Sequence, residues 1–133
     1  MEVVEDYPPN YEDIDAEFNL KHRHIVFTYG DKIYAPTGGP VARHIMVHEE
    51  VHSKQQGTDP AAWWGRYIID KEWRLEQEIA AYQAQYDFVK KHSPNREAVF
   101  KFLWQIASDL SSDVYGNIIS HQQAMTIIAK RNS

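Results

Sequence analysis

The chain has 133 residues, is 43% hydrophobic and 25% charged, and carries a formal net charge of −5. That is the composition of one ordinary globular domain, long enough to bury a real core. The acidic balance and the lack of any Lys/Arg-rich block argue against a nucleic-acid binder, and the absence of cysteine excludes disulfides and thiolate metal sites.

The start, Met1-Glu2-Val3-Val4-Glu5-Asp6, is acidic and lacks the apolar core of a signal peptide. No apolar run approaches membrane-spanning length, so no membrane partner is expected. Tyr7-Pro8-Pro9-Asn10-Tyr11 reads as an extended or polyproline-like lead-in. A short helix could follow from Tyr11 to Phe18, where Ile14 and Phe18 stand four apart; lead-in and helix together occupy residues 1–20.

His24-Ile25-Val26-Phe27-Thr28-Tyr29 and Lys32-Ile33-Tyr34-Ala35 are strand-like runs separated by Gly30-Asp31. That pattern predicts a β-hairpin. Pro36-Thr37-Gly38-Gly39 ends it, and Pro40 opens a helix in whose first turn its missing N–H costs nothing.

This helix, from Pro40 to about Gln56, contains His48-Glu49-Glu50-Val51-His52, an H-E-x-x-H motif. Val41, Ile45, His48 and His52 fall on one stripe. The two imidazoles project from one face a turn apart, a spacing that lets both bind one zinc ion with Glu49 beside it as general base. Glu50 falls on the opposite face, where it can pair with Lys54. The plainer alternative is two packed polar histidines, which would need other hydrogen-bond partners.

Asp59-Pro60 caps a helix through Trp63, Trp64 and Ile69, and Asp70 marks a break or a new cap. The next helix runs from about Lys71 to Lys91, with Leu75, Ile79, Tyr82, Tyr86 and Val89 as its apolar stripe. Lys90-Lys91-His92 suits its C-terminal dipole. Ser93-Pro94 caps another helix, which offers Val99, Phe100, Leu103, Trp104, Ile106 and Ala107 for burial. Asp113 to Asn117 is a turn around Gly116. Ser120 and Gln123 form a capping box for a last helix ending near Arg131. Trp63, Trp64, Trp73 and Trp104 are expected in the core, and His22 and His24 at the surface.

A catalytic zinc usually has three protein ligands. His44 is a poor third, because in a straight helix the backbones of residues 44 and 52 are about 12 Å apart. It fits better as a neighbour that orients a ligand. The metzincin pattern is absent, since Gln55 and Thr58 stand where Gly and His would be needed. A carboxylate from the following helix remains. With the apolar stripe centred on Leu75, Glu72 and Glu78 lie about 60° from the centre and Glu76 about 100°. Glu78 is favoured, because the small Ala80 and Ala81 beside it let the helices approach. Glu76 and Glu72 are the alternatives.

His48-Glu49-x-x-His52-x-x-Gln55-Gln56, followed by Glu78-x-x-Ala81 one helix later, resembles small gluzincin-type zinc metallopeptidase domains. The stretch from Tyr7-Pro8-Pro9-Asn10-Tyr11 to Ala81-Tyr82-x-x-Gln85-Tyr86 is also similar to short zincin-like proteins encoded by bacteriophages. The resemblance implies an α+β, mostly helical, zincin-like domain over residues 1–133. It implies one Zn²⁺ on His48, His52 and Glu78, with Glu49 as catalytic base. Its substrate would be a peptide or protein and its location the cytoplasm of a bacterial host. One departure stands out. Many gluzincins place Asp four residues after the ligand Glu to orient a metal-bound His, and Tyr82 stands there instead.

In the expected reaction zinc acidifies water and polarises the scissile carbonyl, while Glu49 moves the proton to the leaving amine. A substrate backbone could pair with the hairpin edge. Tyr82, Tyr115 and His121 are the candidate oxyanion donors or orienting groups. The rival expectation is a non-catalytic, zinc-stabilised phage structural or host-interaction protein, and a further rival is a small interaction domain without metal.

Overall fold

A computed structural model describes residues 1–18 and 25–130. The expectations for His22, His24 and Arg131 lie outside the described residues. The chain folds as a mostly helical α+β structure. In order it forms β1 (Glu2–Val4), α1 (Tyr11–Phe18), β2 (Phe27–Tyr29), β3 (Lys32–Tyr34), α2 (Arg43–Gln56), α3 (Pro60–Ile69), α4 (Lys71–His92), α5 (Arg96–Leu110), a 3-10 turn (Asp113–Tyr115) and α6 (His121–Ala129). Among the described residues no helix is long and apolar enough to cross a membrane.

The hairpin forms as expected. Gly30 takes the positive φ of 65° that its two-residue turn requires, and Phe27 pairs with Tyr34 and Tyr29 with Lys32. The sheet has a third strand that the sequence reading missed. Glu2–Val4 runs parallel to β3, giving the order β1-β3-β2, and Tyr7-Pro8-Pro9 follows it as the connection into α1.

Two helix starts differ from expectation. The segment around Pro40 stays outside α2, which begins at Arg43 after an Ala42 that has no capping side chain. Gly38 and Gly39, at φ 73° and 85°, hold the lead-in out of helical space, and a residue preceding proline is itself biased away from it. Helix α5 is capped by Asn95, whose side chain accepts from the Ala98 N–H at 3.1 Å. Asn is among the strongest N-caps, and Pro94 is left outside. Asp59, Asp70 and the Ser120–Gln123 capping box act where the sequence placed them.

Among the described residues there are two apolar clusters. Leu75, Tyr82 and Tyr86 of α4 pack with Leu103, Ile106, Ala107 and Leu110 of α5 and with Ala124 and Ile128 of α6. Ile14, Phe27, Trp63, Trp64 and Tyr67 join α1, β2 and α3. Trp73 is partly buried against the second cluster. Trp104 and Phe100 are 52% and 58% exposed, contrary to expectation. The buried stripe of α5 is centred near Leu103, Ile106, Ala107 and Leu110, which puts Trp104 about 110° off its axis.

Helix α4 is buried on two sides. Its apolar face meets α5 and α6, while Arg74, Glu78, Ala81 and Gln85, spaced by three or four residues, form a second buried stripe. Ala81 is fully buried while Ala80 is exposed, so of the two small residues only Ala81 lies in the packed stripe. Helices α2 and α4 make the most extensive packing in the fold, and the polar residues of both sit between the two apolar clusters.

Candidate metal centre

The α2 helix buries His48, Glu49, His52 and Gln56 and exposes Glu50. No ion pair between Glu50 and Lys54 is found among the described residues. His48 and His52 stack edge to face with ring centroids 4.9 Å apart. Glu78 comes from α4. One of its oxygens, Oε1, lies 3.0 Å from His48 Nε2 and 3.1 Å from His52 Nε2. The ligand atoms of His48, His52 and Glu78 all lie within 4.8 Å of one another. Glu72 and Glu76 are exposed on other faces of α4 and take no part in this group.

The outer nitrogens of both imidazoles are held. Gln55 Oε1 lies 2.8 Å from His52 Nδ1, and the Gln55 amide nitrogen donates to the Gln77 carbonyl at 3.1 Å. A carbonyl can only accept, so Oε1 must face the imidazole and His52 Nδ1 must carry the proton. Gln85 is placed in the corresponding position beside His48. Its Oε1 accepts from Nδ1 at 2.8 Å while its amide nitrogen donates to His44 Nδ1 at 2.8 Å. His44 therefore meets His48 through Gln85, a neighbour of the site as its spacing predicted, and not a member of the His48–His52–Glu78 group. Burial and the nearby His48 lower its pKa.

With both Nδ1 atoms protonated, each Nε2 turns a lone pair toward the Glu78 carboxylate. Three lone-pair donors facing one another in a buried site require a positive charge among them. A proton on an imidazole can supply it. Burial acts to lower the His52 pKa, yet the Glu78 carboxylate, its hydrogen bond and Glu49 carry it from 6.5 to about 9. Burial likewise acts to raise Glu78, and the charge and hydrogen bonds of the two histidines hold it well below the usual carboxylate range. A metal ion supplies the same positive charge. Tetrahedral ligands about 2.1 Å from zinc lie about 3.4 Å apart, so Glu78 Oε1, 3.0 and 3.1 Å from the two Nε2 atoms, needs to withdraw from each by only a few tenths of an ångström. The donor set fits, and this buried His–His–Glu group could hold a metal ion.

The other oxygen of Glu78, Oε2, accepts from the Tyr67 hydroxyl at 2.5 Å. Burial and the adjacent carboxylate push the Tyr67 pKa well above its usual value, so it remains a phenol donor. Glu49 is buried beside the group, with Oε2 3.7 Å from His48 Nε2. The Thr28 hydroxyl lies 3.2 Å from both Oε1 and the backbone oxygen of Glu49. Burial raises the Glu49 pKa against the opposing pull of His48 and His52.

The group opens on a cleft of about 600 Å³ lined by His48, Glu49, Glu78, Tyr82 and Tyr115 and walled by Ile25, Val26 and Phe102. The Tyr82 ring packs edge-on to His48 at 4.6 Å, and its hydroxyl lies 3.3 Å from that of Tyr115. His121 is elsewhere, on α6, with Nε2 on the Trp104 carbonyl at 3.0 Å and its ring against the Trp104 indole. The hairpin edge is engaged at Thr28, whose carbonyl accepts from Gln56 Nε2 at 2.7 Å and Trp64 Nε1 at 2.9 Å, so main-chain pairing is blocked at that residue.

Thr28, Tyr67 and Arg74 were given no part in the sequence reading, and Gln55 and Gln85 were given no role. The glutamines carried a signal: Gln55 is three residues beyond His52, and Gln85 is seven beyond Glu78 on the same face of α4. No protein-family model, curated protein or solved structure matches this chain.

Proposed function

We propose that the protein is a zinc-dependent metallopeptidase. The observation that carries this reading is the convergence of His48 Nε2, His52 Nε2 and Glu78 Oε1 beside a buried Glu49, all bordering one cleft. Bound zinc would supply Lewis acidity to a substrate carbonyl and acidify a water molecule.

The chain's own residues do the rest. Glu49 takes a proton from water and delivers it to the leaving amine, a task favoured by its upward-shifted pKa. The Thr28 hydroxyl holds one Glu49 oxygen and leaves the other for the proton. Gln55 and Gln85 keep the Nε2 atoms bare and aimed inward. Tyr115 and Tyr82 place phenol donors at the cleft, where a developing oxyanion would be stabilised.

Glu49→Gln tests the assignment. It keeps the shape and the metal ligands but removes the base. Metal content should be unchanged while peptide hydrolysis falls by about 10²–10⁴-fold; hydrolysis at the wild-type rate would refute the role of Glu49.

A second reading, a metal-stabilised non-catalytic module, draws on the depth of the site. His48, His52 and Glu78 are only 8%, 5% and 3% exposed, as in a metal that serves the fold. The same substitution separates the two, because such a module would bind its partner unchanged.

A further inference from the structure

Arg74 is the largest fully buried side chain, at 1% exposure. A buried guanidinium is costly unless well paired, and its nearest carboxylate is a poor partner: Glu17 lies 4.0 Å away and is itself 41% exposed. The bonds Arg74 does make are to α3. Its Nε donates to the Tyr67 carbonyl at 2.7 Å and its Nη2 to the Ile68 carbonyl at 2.6 Å. These are carbonyls of the last turn of α3, which lack intrahelical partners. The guanidinium also lies over the Tyr67 ring, 5.3 Å from its centroid.

Arg74 thus holds the Tyr67 backbone and, lying between the Phe18 ring at 4.5 Å and the Tyr67 ring, helps to fix that ring, while the Tyr67 hydroxyl ends on Glu78 Oε2. Arg74 and Glu78 are four residues apart on α4 and project to the same side, with Tyr67 between them. Trp63 closes the other flank. It stacks on Tyr67 with centroids 4.8 Å apart and donates through Nε1 to Gln77 Oε1 at 3.0 Å.

We infer that Arg74 and Tyr67 are positioning residues for the metal centre, a clamp that pins Glu78 Oε2 and so leaves Oε1 alone to face His48 and His52. Tyr67 holds the carboxylate directly, and Arg74 acts through Tyr67. The clamp occupies the position-setting role that an Asp four residues after the ligand Glu would otherwise play, but it acts on the carboxylate rather than on an imidazole. Without it the carboxylate is free to rotate and offer both oxygens. This inference rests on the metal reading of the His48–His52–Glu78 group and not on catalysis.

The test is metal affinity, measured by chelator competition with zinc and by the visible spectrum of cobalt(II), for wild type, Tyr67→Phe, Arg74→Lys and the double variant. Circular dichroism checks each fold. Tyr67→Phe should weaken metal binding by about 10–100-fold and change the cobalt spectrum as the carboxylate reorients. Arg74→Lys should weaken binding less. The double variant should bind no more weakly than Tyr67→Phe alone, since one residue acts through the other; a merely structural defect would add to it. Tyr67→Phe binding metal as wild type does would overturn the clamp alone, and independent, additive effects would overturn the coupling through Tyr67. Wild-type protein that binds neither ion would overturn the metal reading and the clamp together. The isosteric Tyr67→Phe carries the test even if Arg74→Lys does not fold.

Discussion

Gln55 fixes the tautomer of His52: its amide nitrogen is committed to the Gln77 carbonyl, so its oxygen, 2.8 Å from Nδ1, can only accept from the imidazole. The Nε2 of His52, which faces Glu78, is therefore left bare by a residue on the same helix and a backbone group of α4. Removing this hold should matter for metal more than for fold. Gln55→Ala should weaken zinc binding by about 10–100-fold in chelator titrations and leave the helical circular dichroism intact. An unchanged zinc affinity would show that the tautomer is set by something else.

Metal should stabilise the fold, because the group joins α2 to α4 at the polar seam between the two apolar clusters. A ligand that binds only the folded state adds about 2.7 kcal/mol at a free concentration of a hundred times Kd. Zinc should raise the melting temperature, and chelator should reverse the rise. Glu78→Ala should abolish the gain by removing the only group contributed by α4. A zinc-induced rise that persists in Glu78→Ala would place the metal elsewhere.

The stability of the metal-free protein and the gain that zinc adds to it should respond to pH with opposite signs. In the metal-free protein the His52 pKa is raised from 6.5 to about 9. The corresponding stability is complete below about pH 6.5 and is lost as pH rises through about 9. Glu78 is shifted the other way. Its contribution is present above the ordinary value of 4.5 and is lost as pH falls through its depressed folded pKa. A bound metal would displace the proton from His52, so zinc affinity should climb with pH up to about 9. Thermal melts with chelator and with zinc across this range check both slopes. A zinc-induced gain that shrinks with rising pH would contradict the assignment of His52 as a ligand.

The motif helix was legible because its period is local: His48 and His52 sit one turn apart whatever surrounds them. The phase of α4, a second local property, set Glu72 and Glu78 equally near its apolar stripe, and the small residues beside Glu78 decided between them. What was missed depends on chain-distant partners. Tyr67 reaches Glu78 from α3, and Thr28 reaches Glu49 from β2, and neither carries a spacing that could announce it. Arg74 lies off the apolar stripe of α4 and drew no expectation, because an apolar period reveals one buried face and not a second polar one. Strand β1, three residues long, is too short to display alternation. Trp104 and Phe100 differ from expectation for the opposite reason: they lie within an amphipathic helix, but the phase of α5 carries them off its buried stripe.

X-ray absorption at the zinc edge, on protein loaded with one equivalent, tests the central claim most directly. The account predicts one retained zinc with two imidazole nitrogens and carboxylate oxygen at about 2.0–2.2 Å, and loss of one imidazole in His52→Ala. Zinc that washes away from the wild-type protein, or a spectrum without imidazole scattering, would contradict it.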